Sequence, residues 1–425
     1  MSSSQNGNLV RFLQEFSIPL ILGVFAALFA ANLAPEWYEH WFSAHAPSLV
    51  EGFKPFGHEF NLYFLINDIF MVFFFGIAAK EITESCLPGG SLNPPRKAVN
   101  PLLATIGGVA GPVGTFFVAM YVASAMGVTG YEPGTDTWDA LSRGWGIPTA
   151  TDIALAWLVA RAVFGKGHPA IDFLLLLAVA DDAIGLGIIA IFYGDPAHPA
   201  APEFLLLVLA GMIVAYVLRK QNVQSWIPYI FIAGSLSWCG LILAHLHPAL
   251  ALVPIVPFLP GPRRDTGLFI EGDEVDLMGE KTAADLSMDH SPLHNFEHET
   301  KAFVDFGLFF FALGNAGVEL AGMGPMTWII LASLVVGKTV GIAGMAMLGM
   351  GIGFPLPSGM KVRDLIMAGY VAALGLTVAL FVAGAAFPID MALQGQAKMG
   401  ALFSGFVGIT AVFIGKAMGF GRKEP

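Results

Sequence analysis

Runs of about twenty mostly apolar residues recur along almost the whole chain, the length a helix needs to cross a hydrocarbon layer. They fall near 17–34, 61–80, 99–124, 147–164, 169–193, 203–219, 226–245, 248–260, 302–321, 326–350, 364–387 and 398–419. Backbone inside lipid must satisfy its own polar groups, which a helix does within one segment. The predicted fold class is therefore an all-α integral membrane protein with about twelve transmembrane helices. The run at 248–260 is short and proline-rich, and is the weakest of the set. Composition agrees: 12% of the 425 residues are charged and 56% are hydrophobic, whereas about 25% of a soluble domain is charged.

Lysine and arginine set the expected orientation, because cytoplasmic loops carry an excess of them. With the N-terminus inside, the inside segments hold all but four of the 21 basic residues. Lys54, Arg143 and Lys398 fall outside and Lys338 lies within a span. A multi-pass membrane protein, surrounded by lipid and with both termini cytoplasmic, is predicted. It divides into a segment 1–16 and a helical block 17–260 containing a first repeat at about 99–193. A cytoplasmic acidic loop, 261–301, follows. The second block, 302–419, holds a second repeat at about 326–419, and 420–425 is a tail. The N-terminus lacks a basic region, short apolar run and small-residue cleavage site, so no cleaved leader is expected. The net charge of −11 comes with no basic stripe, so no nucleic-acid partner is expected. Cys86 and Cys239 are too few for a disulfide framework.

Between Asp265 and Thr300 lie ten acids and one lysine, Lys281. Such a composition cannot bury a core, so this stretch is expected to be a mobile, solvated loop. Its histidines, His290, His294 and His298, would share a face on a helix; they are read as incidental to the loop.

The organisation repeats. The runs at 147–164 and 364–387 each stand in the middle of a set of three. Each carries a glycine- and threonine-rich interruption, Gly144 to Asp152 (GWGIPTATD) and Ala373 to Ala379 (ALGLTVA). By the topology count, the two sets enter the membrane from opposite sides. Matching interrupted helices in two halves point to inverted-topology repeats whose interrupted helices cross at the midplane, where a transporter's site lies.

An ionisable group within a span costs several kcal/mol unless it is paired or faces water, which makes it a functional candidate. Asp181 and Asp182 lie mid-span in LLLLAVADDAIG. Neighbouring carboxylates repel, so one of them readily takes a proton. Both ionised, they offer hard oxygens to a small cation, and proton and cation then compete. Asp152 follows Thr151 at the first interruption. It can balance helix-end dipoles, and it or Thr151 can also coordinate a cation directly; the two roles are not exclusive. Lys338 needs an acidic partner, for which Asp181 is the candidate. It either carries a transported proton or only holds helices together. Asn67 and Asp68 open the second run and read as interfacial caps. Glu81 and Glu84 end it and read as solvated. His247 reads as a turn histidine, and Asn315 as satisfying broken backbone.

These residues together resemble the NhaA family of sodium/proton antiporters, itself an example of inverted-repeat architecture. The matching stretches are PTATDIALA with Asp152, LLLLAVADDAIG with Asp181 and Asp182, GNAGVEL with Asn315 and VGKTVGI with Lys338. INDIFMVFFFGIAAKE and FEHE add to them. The likeness runs from about 17 to 415. It implies an electrogenic antiporter, not an enzyme, exchanging two protons per sodium or lithium ion without a cofactor. It also implies a bacterial inner-membrane location, pH regulation and a frequent homodimer. Asp182 would be the principal sodium ligand with Asp181 beside it and paired to Lys338, while Asp152 and Thr151 complete the crossing. Glu81 is followed by Ile82-Thr83-Glu84 where the family has Lys-Arg, and the acidic insertion is extra, so a displaced pH profile is expected. Another ion-coupled transporter on the same fold is the main alternative. An intramembrane aspartyl protease is disfavoured, because adjacent helical residues point about 100° apart and cannot face each other across a scissile bond.

Overall fold

The computed structural model describes residues 17–43, 45–87, 92, 95–194, 199–261 and 291–420, with no strand among them. His290 and most of the acidic insertion lie outside the described residues, as do 1–16 and 421–425. Helix α1 is Ile18–Leu33 and a short α2, Pro35–Phe42, turns off its end. Helix α3 is Leu62–Ser85, with a π-helical turn at Leu65–Phe70. Then come α4, Pro95–Ala125, and α5, Asp136–Ser142, which tightens into a 3-10 stretch at Arg143–Thr149. After a break follow α6, Ile153–Phe164, and α7, Pro169–Phe192. Helices α8, Leu205–Lys220, and α9, Ser235–Leu243, close the first block.

The second block opens with α10, Pro292–Asn315. Helix α11 is Pro325–Gly351, with a π-helical turn at Ser333–Gly337. Helices α12, Val362–Val371, and α13, Leu376–Ala386, are two halves of one interrupted span. Helices α14, Met391–Phe403, and α15, Gly405–Ala417, form the last span. Among the described residues, six uninterrupted spans are long and apolar enough to cross a membrane, and each of two interrupted spans bends by 50° at its break.

Several boundaries differ from the sequence reading, for local reasons. The run at 248–260 is not a spanning helix but two 3-10 turns, Pro248–Leu250 and Val256–Phe258. Pro248, Pro254 and Pro257 withhold the backbone donors that a helix needs. The ninth run begins ten residues before 302. Ser291 caps α10, its hydroxyl accepting from the His294 N–H at 3.3 Å, and Pro292 fits the first turn. The end of the supposed loop is therefore helical, and the His294 and His298 rings lie 6.2 Å apart on one face. The fourth run starts at Asp136 rather than 147, which puts its interruption in mid-span. The last run starts at Met391 rather than 398, which takes Lys398 out of the outer loop and buries it.

Helices α4 and α11 approach unusually closely, through Gly107, Gly111, Gly337 and Gly341. A Cβ added at Gly341 would lie 2.1 Å from the Gly107 carbonyl oxygen, and one at Gly111 2.2 Å from that of Gly337. Small residues spaced by four let backbones meet where lipid supplies no hydrophobic drive between helices. Gly341→Ala is expected to lower stability by about 1–3 kcal/mol, read as a lower melting temperature in detergent. An unchanged melt would mean that these helices do not touch there. Large apolar side chains such as Phe29, Val118, Leu206 and Phe413 point outward and are well exposed, as a lipid-facing surface requires.

Candidate cation site at the helix crossing

The two interruptions meet. At the first, residues 150–152 leave the helix; at the second, residues 374–375 do. The Asp152 N–H donates to the Leu374 carbonyl at 2.6 Å, so one break satisfies backbone left open by the other. Gly375 permits the approach, since a Cβ there would come within 3.0 Å of the Ala150 oxygen. The Gly375 N–H in turn donates to the Ser404 hydroxyl at 3.2 Å.

Asp152 clamps both half-helices. Its Oδ1 accepts from the Leu155 N–H at 3.1 Å and caps α6. Its Oδ2 accepts from the Thr377 hydroxyl at 2.9 Å and the Thr377 N–H at 3.3 Å, at the start of α13. Thr377 stands in the second interruption but was not singled out from the sequence; only its pairing with Asp152 shows its part. With both its oxygens engaged, Asp152 fits the dipole-balancing reading. Asp152→Asn places an amide donor against the donors of Thr377. It is expected to slow exchange several-fold and lower the melting temperature, without abolishing transport. Complete loss of transport with an unchanged melt would argue for direct coordination.

Beside the crossing, Lys338 and Asp181 are fully buried and form an ion pair of 2.5 Å. The Thr151 hydroxyl donates to the same Asp181 Oδ2 at 2.7 Å and also touches the Lys338 ammonium. Three segments remote in sequence thus converge on one oxygen. Asp181 Oδ1 and Asp182 Oδ1 are buried and meet no donor among the described residues. Gly108 of α4 faces them, its missing Cβ 4.0 Å from Asp181 Oδ1.

Asn67 and Asp68 do not cap α3. They lie in its π-helical turn, while Asn61 does the capping, accepting from the Phe64 N–H at 2.9 Å. Asn315, at the end of α10, donates to Asn67 Oδ1 at 3.0 Å, tying the two spans together. Asp68 and His247 line a cavity of about 190 Å³ that reaches Tyr63 and Phe381. Glu81 and Glu84 are not solvated but buried. The Lys80 ammonium lies 3.3 Å from Glu81, 2.7 Å from Glu84 and 2.5 Å from Glu297 of α10. The amphipathic start of α10, hidden in the supposed loop, supplies Glu297.

Burial pushes the His247 ring down to about 4, so its 3.8 Å approach to Asp68 is no ion pair at neutral pH. In the unfolded chain a histidine titrates near about 6.5. Between those values the unfolded state binds the extra proton, and stability is lost as pH falls. His247→Gln should therefore lose less melting temperature than wild type between pH 7 and pH 5. Equal slopes would show that the ring is solvated.

Two interrupted helices with crossing breaks, beside buried carboxylates, define an inverted-repeat secondary transporter. The family described as Na+/H+ antiporter 1 matches residues 9–415, and the chain belongs to it. It is a multi-pass membrane transporter, not an enzyme. Among similar proteins, the Na(+)/H(+) antiporter NhaA of Geobacter sulfurreducens is 54% identical, over 97% of this chain and 98% of its own. That of Desulfitobacterium hafniense is 56% identical, over 98% and 97%. That of Jannaschia sp. is 40% identical, over 97% and 98%.

Proposed function

We propose that the chain exchanges sodium or lithium for protons across a bacterial inner membrane, with both termini cytoplasmic, and that the exchange moves net charge. Cation and proton compete for the carboxylate oxygens of Asp181 and Asp182. The observation that carries this reading is the pair of buried oxygens, one on each adjacent aspartate, with no donor among the described residues to occupy them. A buried carboxylate oxygen left bare is costly, and either a proton or a small hard cation relieves the cost. Among the described residues only Asp181 of the two forms an ion pair, with Lys338. Asp182 is thus the natural main ligand of the cargo, and the names of the relatives supply sodium and proton as the exchanged pair. Alternating access follows from movement of the two interrupted spans, whose crossing is held by few hydrogen bonds rather than by continuous helix.

The test is dequenching of a pH-sensitive dye in everted vesicles on addition of sodium, lithium or potassium chloride. Sodium and lithium are expected to dequench and potassium not to. Equal potassium and sodium responses would overturn the small-cation site.

A further inference from the structure

Three lysines are buried among the described residues: Lys80, Lys338 and Lys398. Lys80 faces three glutamates and Lys338 faces Asp181. Lys398 differs. It lies on α14 with 6% of its surface exposed, and no hydrogen bond or ion pair reaches it from the described residues. Its side chain lines a cavity of about 340 Å³, bounded by the end of α1, by α2, by the end of α10 and by α14. This is the opposite end of α10 from Glu297 and the Lys80 cluster.

Two of the polar side chains around the cavity are committed to backbone partners, and the Ser43 and Tyr63 hydroxyls also line it. The Tyr38 hydroxyl donates to the Leu313 carbonyl at 2.7 Å and accepts from the Gly317 N–H at 3.1 Å. The Gln394 amide nitrogen donates to the Phe387 carbonyl at 3.0 Å. Glu39 and Glu319 also line the cavity, but both are exposed and neither pairs with the lysine. A buried ammonium without a counter-charge costs several kcal/mol. An ammonium that instead looks into a cavity of this size can take its counter-charge from outside the chain.

We propose that Lys398 and this cavity form an oxyanion site that takes a phosphate group. The ammonium supplies charge-assisted hydrogen bonds to the phosphate oxygens. The source is either inorganic phosphate in solution or the phosphate of a lipid headgroup. An ethanolamine headgroup fits the arrangement well, since its own ammonium would meet Glu39 and Glu319 at the exposed side. This site is separate from the cation site and does not depend on the exchange reaction.

The test is thermal unfolding of the purified full chain in detergent, titrated with potassium phosphate against potassium chloride of equal ionic strength. A second arm uses nanodiscs of phosphatidylcholine with or without phosphatidylethanolamine. Wild type is expected to gain stability saturably from phosphate, because a ligand that binds only the folded state raises its melting temperature. Lys398→Met should raise the half-saturating concentration about tenfold or more. The double variant Glu39→Gln/Glu319→Gln should lower it about two- to fivefold, through loss of rim repulsion, and keeps the test open if Lys398→Met does not fold. Stabilisation by phosphatidylethanolamine that is lost in Lys398→Met, with little effect of free phosphate, assigns the site to a headgroup; the reverse assigns it to the soluble ion. No Lys398-dependent response in either arm overturns the proposal, as does a half-saturation that neither set of substitutions moves.

Discussion

Asp182→Asn is expected to reduce sodium-driven dequenching to the level of vesicles without the protein, with normal amounts of protein in the membrane. The side chain keeps its size and loses its charge. Asparagine offers one neutral oxygen and a donor where the site needs a bare anionic oxygen, and its amide cannot release a proton near neutral pH. Asp182 also has no ion-pair partner among the described residues, so the substitution strands no opposite charge there and should fold well. Asp181→Asn should abolish exchange too, but with a clear loss of stability, since it deprives Lys338 of its counter-charge. The two variants therefore separate by their melts although both are inactive. Exchange near the wild-type rate in Asp182→Asn would refute the assignment of the cation site.

Lys338→Gln is expected to cost about 3–5 kcal/mol of stability, the usual penalty for removing one partner of a buried pair. Asp181 is left without its cation and loses half of the contacts at Oδ2, keeping only the Thr151 hydroxyl. A buried carboxylate in that position neutralises itself by holding a proton, so the charge moved per sodium ion should change. Lys338→Arg keeps the charge, but Lys338 is fully buried in the α11 turn that packs on α4, and a forked guanidinium has little room. It should retain part of both stability and exchange. The measurement is exchange in proteoliposomes under an imposed membrane potential, beside a melt of each variant. If Lys338 itself carries a transported proton, Lys338→Gln becomes electroneutral with stability nearly intact. Normal stability together with an unaltered voltage response would exclude both roles.

The membrane class, most of the spans, both interruptions and the aspartates that cannot sit idle in lipid were legible in the sequence. Each rests on a local rule: a run of apolar residues, a glycine–threonine break, a charge where charge is costly. A local rule fails where a neighbouring turn changes the context, as the prolines did at 248–260 and the Ser291 cap did at the start of α10. What only the tertiary structure decided is which groups meet. Asp152 and Thr377 are 225 residues apart, and Lys338 and Asp181 157. Their contacts depend on two broken helices crossing and on glycines bringing α4 against α11. Glu81 and Glu84, read as solvated, turned out to be buried because α10 begins early enough to bring Glu297 to Lys80. Lys398, read as a loop residue, turned out to be buried because its helix begins seven residues sooner. Sequence can say that a charge in a span needs a partner. Packing alone determines whether the partner is an acid on another helix or must come from outside the chain.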